Sequence, residues 1–204
     1  MDYLGCRLSH QTSQKKRRLA EIILTKSFKY SENQPFKLAS GKTSHYYFNC
    51  KPTTLDPEGM NLIGEIIFEL VKDSNITATG GLTLGADPIA NALSLISFQK
   101  KKPIKSFIVR KDIKEHGTKS SIEGEVHYGE KVAIIDDVIT TGGSTIMAIM
   151  KAKEAGLDID RVIVLIDRQE GGRENIMEYV KRVDAVFMRD EILELYKEMN
   201  RHLK

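Results

Sequence analysis

Tryptophan is absent from these 204 residues, and cysteine is confined to Cys6 and Cys50. Two cysteines build neither a disulfide framework nor a Cys-rich zinc site. Long apolar runs are missing too: none approaches the length of a membrane-spanning helix, and the N-terminus lacks the apolar core of a secretion signal. The default expectation is therefore a cytoplasmic protein with no membrane partner. Charge of one sign is also scarce. The 31 Lys and Arg against 28 Asp and Glu leave a net +3, too little to argue for nucleic acid. No repeat or low-complexity linker divides the chain, so it reads as one α/β domain with additions. At 41% hydrophobic and 29% charged, it has material for a substantial core.

The richest stretch is Lys131 to Thr145, K-V-A-I-I-D-D-V-I-T-T-G-G-S-T. Val132 to Ile135 form a continuous apolar run that predicts a short strand buried on both faces. Asp136 and Asp137 follow it, then Val138, Ile139, Thr140, Thr141, Gly142, Gly143 and Ser144, and then a predicted helix from Ile146 to Ala155. Unpaired N–H groups at a helix start favour phosphate, and glycine lets the backbone come close to it. The aspartates would repel phosphate, so their targets are ribose hydroxyls or a cation. A metal-holding acidic pair, as in other α/β folds, is the competing reading of the two acids alone.

Upstream, Met1 to Gln14 shows no periodicity and reads as a loose leader. Lys15-Lys16-Arg17-Arg18 opens a helix with Leu19, Ile22 and Ile23 on one face, the basic run being read as its solvated side. Phe36 to Asn49, with a Ser40-Gly41-Lys42 turn, predicts a β-hairpin. Gly41-Lys42-Thr43 mimics the tail of a P-loop, but Phe36 stands where its first glycine must be. Asp56-Pro57 starts a helix carrying Met60, Ile63, Ile67, Leu70 and Val71. Ile76 to Thr79 predicts a strand, and the glycine turn after it has Leu82 where a dinucleotide fingerprint needs glycine. A helix from Pro88 to about Phe98 and a strand from Ile104 to Val109 come next.

Arg110 to Gly129 is long, charged and poor in apolar residues. It is either a solvated excursion or surface hairpin, or a lid in which Arg110, Lys111, Lys114 and His116 close over a polyanion. Arg168 directly follows the predicted strand Ile159 to Ile166 and Asp167. It either pairs locally with Asp167 or Glu170, or grips a planar carboxylate in bidentate fashion. A helix near Arg173 to Lys181, a strand from Val183 to Met188 and a helix from Glu191 to His202 complete the chain. The alternation predicts a mainly parallel sheet flanked by helices, with one site at the carboxyl ends of its strands.

Val132 to Thr145 closely resembles the signature of type I phosphoribosyltransferases, where two acids grip the ribose of phosphoribosyl pyrophosphate (PRPP) and the next loop holds its 5′-phosphate. R-K-D-I-K-E-H-G at 110–117, F-K-L-A-S-G-K-T-S-H-Y-Y-F-N at 36–49 and D-R-Q-E-G-G at 167–172 narrow the resemblance to orotate phosphoribosyltransferases, over about Lys15 to Lys204. The resemblance implies a small N-terminal hood at 15–50, a core at 51–204 with a mobile loop at 110–129, and a homodimer whose loop covers the partner's site. It assigns PRPP to Arg110, Lys111, Lys114, His116 and the run Asp136 to Ser144, with Lys111 in a different relation to the dimer from the other three. Orotate falls to Thr140 and Arg168; catalysis to Lys114, His116, Asp136 and Asp137; Mg2+ is expected mainly through PRPP. Ala39 and Gly85 stand where many relatives carry lysine. A purine phosphoribosyltransferase, or a PRPP-sensing regulator using Lys15–Arg18 on nucleic acid, would share the central motif.

Overall fold

A computed structural model describes residues 10–37, 43–111 and 121–201. Seven helices and ten strands lie within them. The first helix, α1 (His10–Lys26), starts five residues ahead of the sequence expectation. Ion pairs add to its apolar seat, and apolar periodicity does not reveal them. Lys15 pairs with Glu65, Lys16 with Glu191 and Arg18 with Glu58, while Arg17 lies near Glu21 of its own helix. The basic run is solvated at Arg17 and Arg18, as read, but its ion pairs also tie α1 to two other helices. Leu19, Ile22 and Ile23 on its other side are buried in the core, so α1 belongs to the body of the protein.

A small hood follows. Strand β1 (Phe28–Tyr30) pairs antiparallel with β4 (Tyr46–Phe48), outside the hairpin β2 (Phe36–Lys37) and β3 (Thr43–Ser44). Of the hairpin expected over Phe36 to Asn49, β2 and β3 form the paired part, while Tyr46–Phe48 pairs instead with β1, whose three residues have too little pattern to be seen in isolation. Phe28 seats the hood, its ring 5.2 Å from Phe48 and 5.1 Å from Tyr196.

After the short helix α2 (Lys51–Thr54) comes α3 (Pro57–Val71). Asp56 caps it as the sequence predicts, Oδ2 accepting from Gly59 N at 3.0 Å. Leu62, Ile63, Ile66, Ile67 and Val71 then recur at helical spacing on its buried face. Each such side chain contributes about 1.5–3 kcal/mol when fully buried.

The main sheet has six strands in the order β10-β9-β8-β5-β6-β7. These are β5 (Ala78–Leu82), β6 (Lys105–Val109), β7 (Ile122–Glu123), β8 (Lys131–Ile139), β9 (Asp158–Asp167) and β10 (Val183–Met188). All neighbours run parallel except β7, which pairs antiparallel with β6. The expected 110–129 excursion thus carries an edge strand where it returns. Helices α1, α3, α4 (Asp87–Gln99) and α7 (Arg189–Arg201) cover one face, and α5 (Gly143–Glu154) and α6 (Gly172–Met177) the other. The chain moves outward from β5 through β6, then returns to the opposite side of β5 with β8. Strand order reverses between β5 and β8, and a crevice opens beyond their carboxyl ends.

Strand β8 is longer than predicted. It continues through both aspartates to Ile139 because the pairing with β9 persists: Asp136 opposes Val164 and Ile139 opposes Asp167. Buried acids read as a strand end in sequence, yet the backbone ladder does not require apolar side chains.

Candidate functional site

Alternation along β8 sends its two aspartates to opposite faces of the sheet. Asp136 is 7% exposed and faces α5, where Oδ2 accepts from Thr145 Oγ1 at 2.5 Å. Its Oδ1 accepts from Asp137 N at 2.9 Å. Burial pushes this carboxyl up to about 7; the Thr145 hydrogen bond opposes that shift and the neighbouring Asp137 charge adds to it. Asp137 faces the other way, with Oδ1 accepting from Val138 N at 3.0 Å and Oδ2 3.9 Å from Lys51 Nζ. Gly85 packs against it so closely that a Cβ there would stand 2.6 Å from Oδ1, so a side chain would displace the carboxylate. The two acids are adjacent in sequence but do not converge on one point.

The turn after β8 is shaped by Gly142 at φ 83°, where a side chain is disfavoured, and it leads directly into α5. Ile146 N bonds to Gly142 O at 2.8 Å, the first full turn of the helix. The N–H groups of Gly143, Ser144 and Thr145 precede that bond and face outward at the positive end of the helix. Asn175 of α6 steadies the turn, its Nδ2 donating to Thr141 O at 3.0 Å.

A cleft of about 440 Å3 lies over this turn. Its wall comprises Asp136, the continuous run from Val138 to Thr145, Arg168 and Tyr47 of the hood. The sequence-assigned Thr140, Thr141, Gly142, Gly143 and Ser144 therefore share one wall with Arg168. Tyr47 and Thr145 were not foreseen. Thr145 had a visible signal in the hydroxyl-rich turn, whereas Tyr47 depends on how the hood folds back.

Arg168 is 5% exposed and has Glu170 as its local ion-pair partner, one of the two readings the sequence left open. Nη2 lies 2.8 Å from Glu170 Oε1, outside hydrogen-bonding geometry, and neither Nε nor Nη2 has an acceptor among the described residues. Its backbone is held from both sides, N donating to Ile139 O at 3.1 Å and O accepting from Arg189 Nη1 at 3.1 Å. A fixed, buried cation with N–H groups to offer suits an anionic, planar partner.

At the other end of the rim, Arg110 follows β6, with Nη1 3.4 Å from Glu123 Oε1. Lys111 is exposed, and Lys151 of α5 donates to the carbonyls of Arg110 at 2.7 Å and Lys111 at 2.6 Å. Lys114, His116 and Ala39 lie outside the described residues. Cys50 is buried beside this region, and desolvation, with Asp137 nearby, pushes its thiol well up; it is inert rather than a nucleophile. Among the described residues, no group of three or more His, Cys, Asp or Glu side chains gathers to cage a metal. No helix among them is long and apolar enough to cross a membrane.

No protein-family model matches the chain. An orotate phosphoribosyltransferase of Aquifex aeolicus is 47% identical over 176 residues, spanning 86% of this chain and 96% of that protein. A crystal structure of the Mycobacterium tuberculosis orotate phosphoribosyltransferase superposes with a TM-score of 0.76 at 32% identity, covering 87% of this chain and 98% of the other. The same enzyme in complex with PRPP superposes with a TM-score of 0.70 at 28% identity, covering 88% and 92%.

Proposed function

The chain belongs to the orotate phosphoribosyltransferase family, and from that membership we propose how its cleft divides the two substrates. The reaction transfers ribose 5-phosphate from PRPP to orotate, giving orotidine 5′-phosphate and pyrophosphate in pyrimidine biosynthesis. The start of α5 and the run Val138 to Ser144 take the 5′-phosphate, Asp136 and Asp137 the ribose hydroxyls, and Thr140 and Arg168 the base. The observation that carries this reading is Arg168: a buried guanidinium whose Nε and Nη2 lack acceptors, on the same wall as a helix N-terminus. The orotate carboxylate supplies an anionic, planar acceptor, a group that purines and uracil lack.

Breaking the bond to pyrophosphate leaves the ribose with oxocarbenium character. Negative groups beside the sugar and positive groups on the leaving group stabilise that state. Asp137, and Asp136 in its deprotonated form, serve the first need; Arg110, Lys111, Lys114 and His116, closing over the pyrophosphate as a lid, serve the second and exclude water. A Mg2+ would arrive on PRPP, held by its phosphates and water. When bound, that ion neutralises charge on the departing pyrophosphate.

The lid acts across a homodimer in the cytoplasm. Leu95 and Phe98 of α4, 58% and 73% exposed beside Pro103 and Ile104, offer an apolar face that a second copy would cover. Mixing Lys114→Ala chains with Asp137→Asn chains should restore activity if the lid serves the partner's site. Failure to recover, with heterodimers demonstrated, excludes it. The central test is loss of orotate ultraviolet absorbance on adding PRPP and Mg2+; no loss with orotate, but turnover of a purine base, would overturn the assignment.

A further inference from the structure

Arg168 does not hold its position unaided, and its support comes from two residues remote in sequence. Tyr46 lies on β4 of the hood and Arg189 opens α7. Arg189 Nη1 donates both to Tyr46 Oη at 3.0 Å and to Arg168 O at 3.1 Å. The Tyr46 ring is in turn shared by two cations, with Arg168 Cζ 5.8 Å and Arg189 Cζ 5.6 Å from its centroid. Each guanidinium keeps its own counterion: Glu170 Oε1 is 2.8 Å from Arg168 Nη2, and Asp190 Oδ1 accepts from Arg189 Nε at 2.9 Å. Like charges would otherwise drive the two arginines apart.

We propose that Arg189 and Tyr46 form a positioning pair that fixes the Arg168 guanidinium for recognition of the orotate carboxylate. The pair works through two restraints. The ring of Tyr46 is a wall on which the Arg168 side chain lies, by the attraction of a cation for an aromatic face. Arg189 locks that wall through its hydroxyl and locks the Arg168 main chain through its carbonyl, so ring and backbone cannot drift relative to each other. Tyr46 and Arg189 are absent from the lining of the cleft, whereas Tyr47, the next residue on β4, is part of it. Alternation along a strand puts one tyrosine in the wall and the other behind it. Affinity for a planar anion depends on the angle of the fork, so freeing Arg168 should cost orotate binding while leaving its charge in place.

This inference rests on Arg168 being the carboxylate reader, so that point is measured first. Orotate turnover by the wild-type enzyme and its loss in Arg168→Met establish the reading; absence of either overturns it and the positioning role together. With both in hand, Arg189→Met is compared with wild type for orotate, for PRPP and for a carboxamide analogue of orotate used as a competitive inhibitor. The expected result is a rise of at least about tenfold in KM for orotate, with kcat within about threefold. KM for PRPP and inhibition by the uncharged carboxamide should be unchanged. Arg189→Lys should recover part of the loss, and Tyr46→Phe, which keeps the ring but removes the hydroxyl, should give an intermediate rise. An unchanged KM for orotate in Arg189→Met overturns the proposal. So does equal weakening of orotate, carboxamide and PRPP with a falling Tm, because that is what a purely structural fastening of the hood would produce. If Arg189→Met does not fold, Tyr46→Phe decides on the same measurements.

Discussion

Strand β9 is bounded by two buried arginines with opposite fates. Arg161, near its start, is 7% exposed and engaged through both Nε and Nη1: Nε donates to Asp160 at 2.7 Å, and Nη1 to Asp184 at 3.3 Å and to Leu70 O at 3.4 Å. Arg168, just past its end, is 5% exposed and keeps two nitrogens without hydrogen-bond acceptors. Burial of a charge is costly at both ends. At the base of the sheet the fold meets that cost with hydrogen bonds; at the rim it supplies the Glu170 carboxylate, 2.8 Å from Nη2, but leaves Nε and Nη2 without hydrogen-bond acceptors among the described residues. A buried cation whose hydrogen-bonding capacity is unmet is therefore a stronger pointer to a ligand here than burial or residue type alone.

Exchanging each arginine for methionine tests that contrast most directly. Arg168→Met should lower kcat/KM for orotate by about 10^3-fold, roughly 4 kcal/mol of transition-state stabilisation. Its Tm should change little, because losing the Glu170 ion pair is offset by removing two buried nitrogens that lack hydrogen-bond acceptors. Arg161→Met should do the reverse. It leaves Asp184 with Arg182 alone, for a loss of about 2–3 kcal/mol and a Tm drop of about 4–10 °C. Kinetic constants should stay within about twofold of wild type. If Arg168→Met lowers Tm as much as Arg161→Met does, the two ends of β9 do not differ as argued.

Titration extends the contrast to carboxylates. Asp136, on the rim, has its folded-state value raised to about 7, against about 3.9 for an unfolded aspartate. The folded protein therefore holds a proton that the unfolded chain has lost across that window. The stability this gives is complete below about pH 4 and is lost as pH rises through about 7. Asp136→Asn removes the titration, so its Tm advantage over wild type should widen from pH 5 to pH 8. A constant difference across that range would contradict the assignment. At the base, Glu130 is held below the ordinary carboxylate range, chiefly by the hydrogen bond from Lys105, at 2.7 Å. Its contribution is present above the ordinary glutamate value and is lost as pH falls. Glu130→Gln should cost no more than about 1 kcal/mol at pH 7, given the half-exposed lysine, and the difference should shrink in acid. Differential scanning calorimetry at several pH values reads both variants.

What could be read from sequence divides along similar lines. Helix α3 was legible from its Asp56 cap and the Ile63, Ile67 and Val71 stripe, and β10 from its apolar run, because local pattern and tertiary burial agree there. The Val138 to Ser144 turn and Arg168 were legible as chemistry, and the fold brings them to one cleft. The first turn of α1 was not, since His10 to Gln14 carry no apolar period. Nor was the end of β8, where hydrogen bonds to β9 continue past two acids that look like a stop. Tyr46, Tyr47 and Arg189 were invisible as neighbours of Arg168, because hood and α7 meet only through tertiary structure.

The pairing of β8 with β9 slips by one residue between Val132 and Ala133, so that Val132 opposes Ile159 but Ala133 already opposes Arg161. Asp160 is thus an extra residue at the bottom of the sheet. It sets the phase of everything above it, including which side of the sheet each later residue addresses and where the strand delivers Arg168. Because pleated strands repeat every two residues, deleting Asp160 would leave the choice of inverting β9 or drawing Arg168 down from the rim. A one-residue deletion roughly 25 Å from the cleft would then disable the reading of the base without touching a single group that meets it.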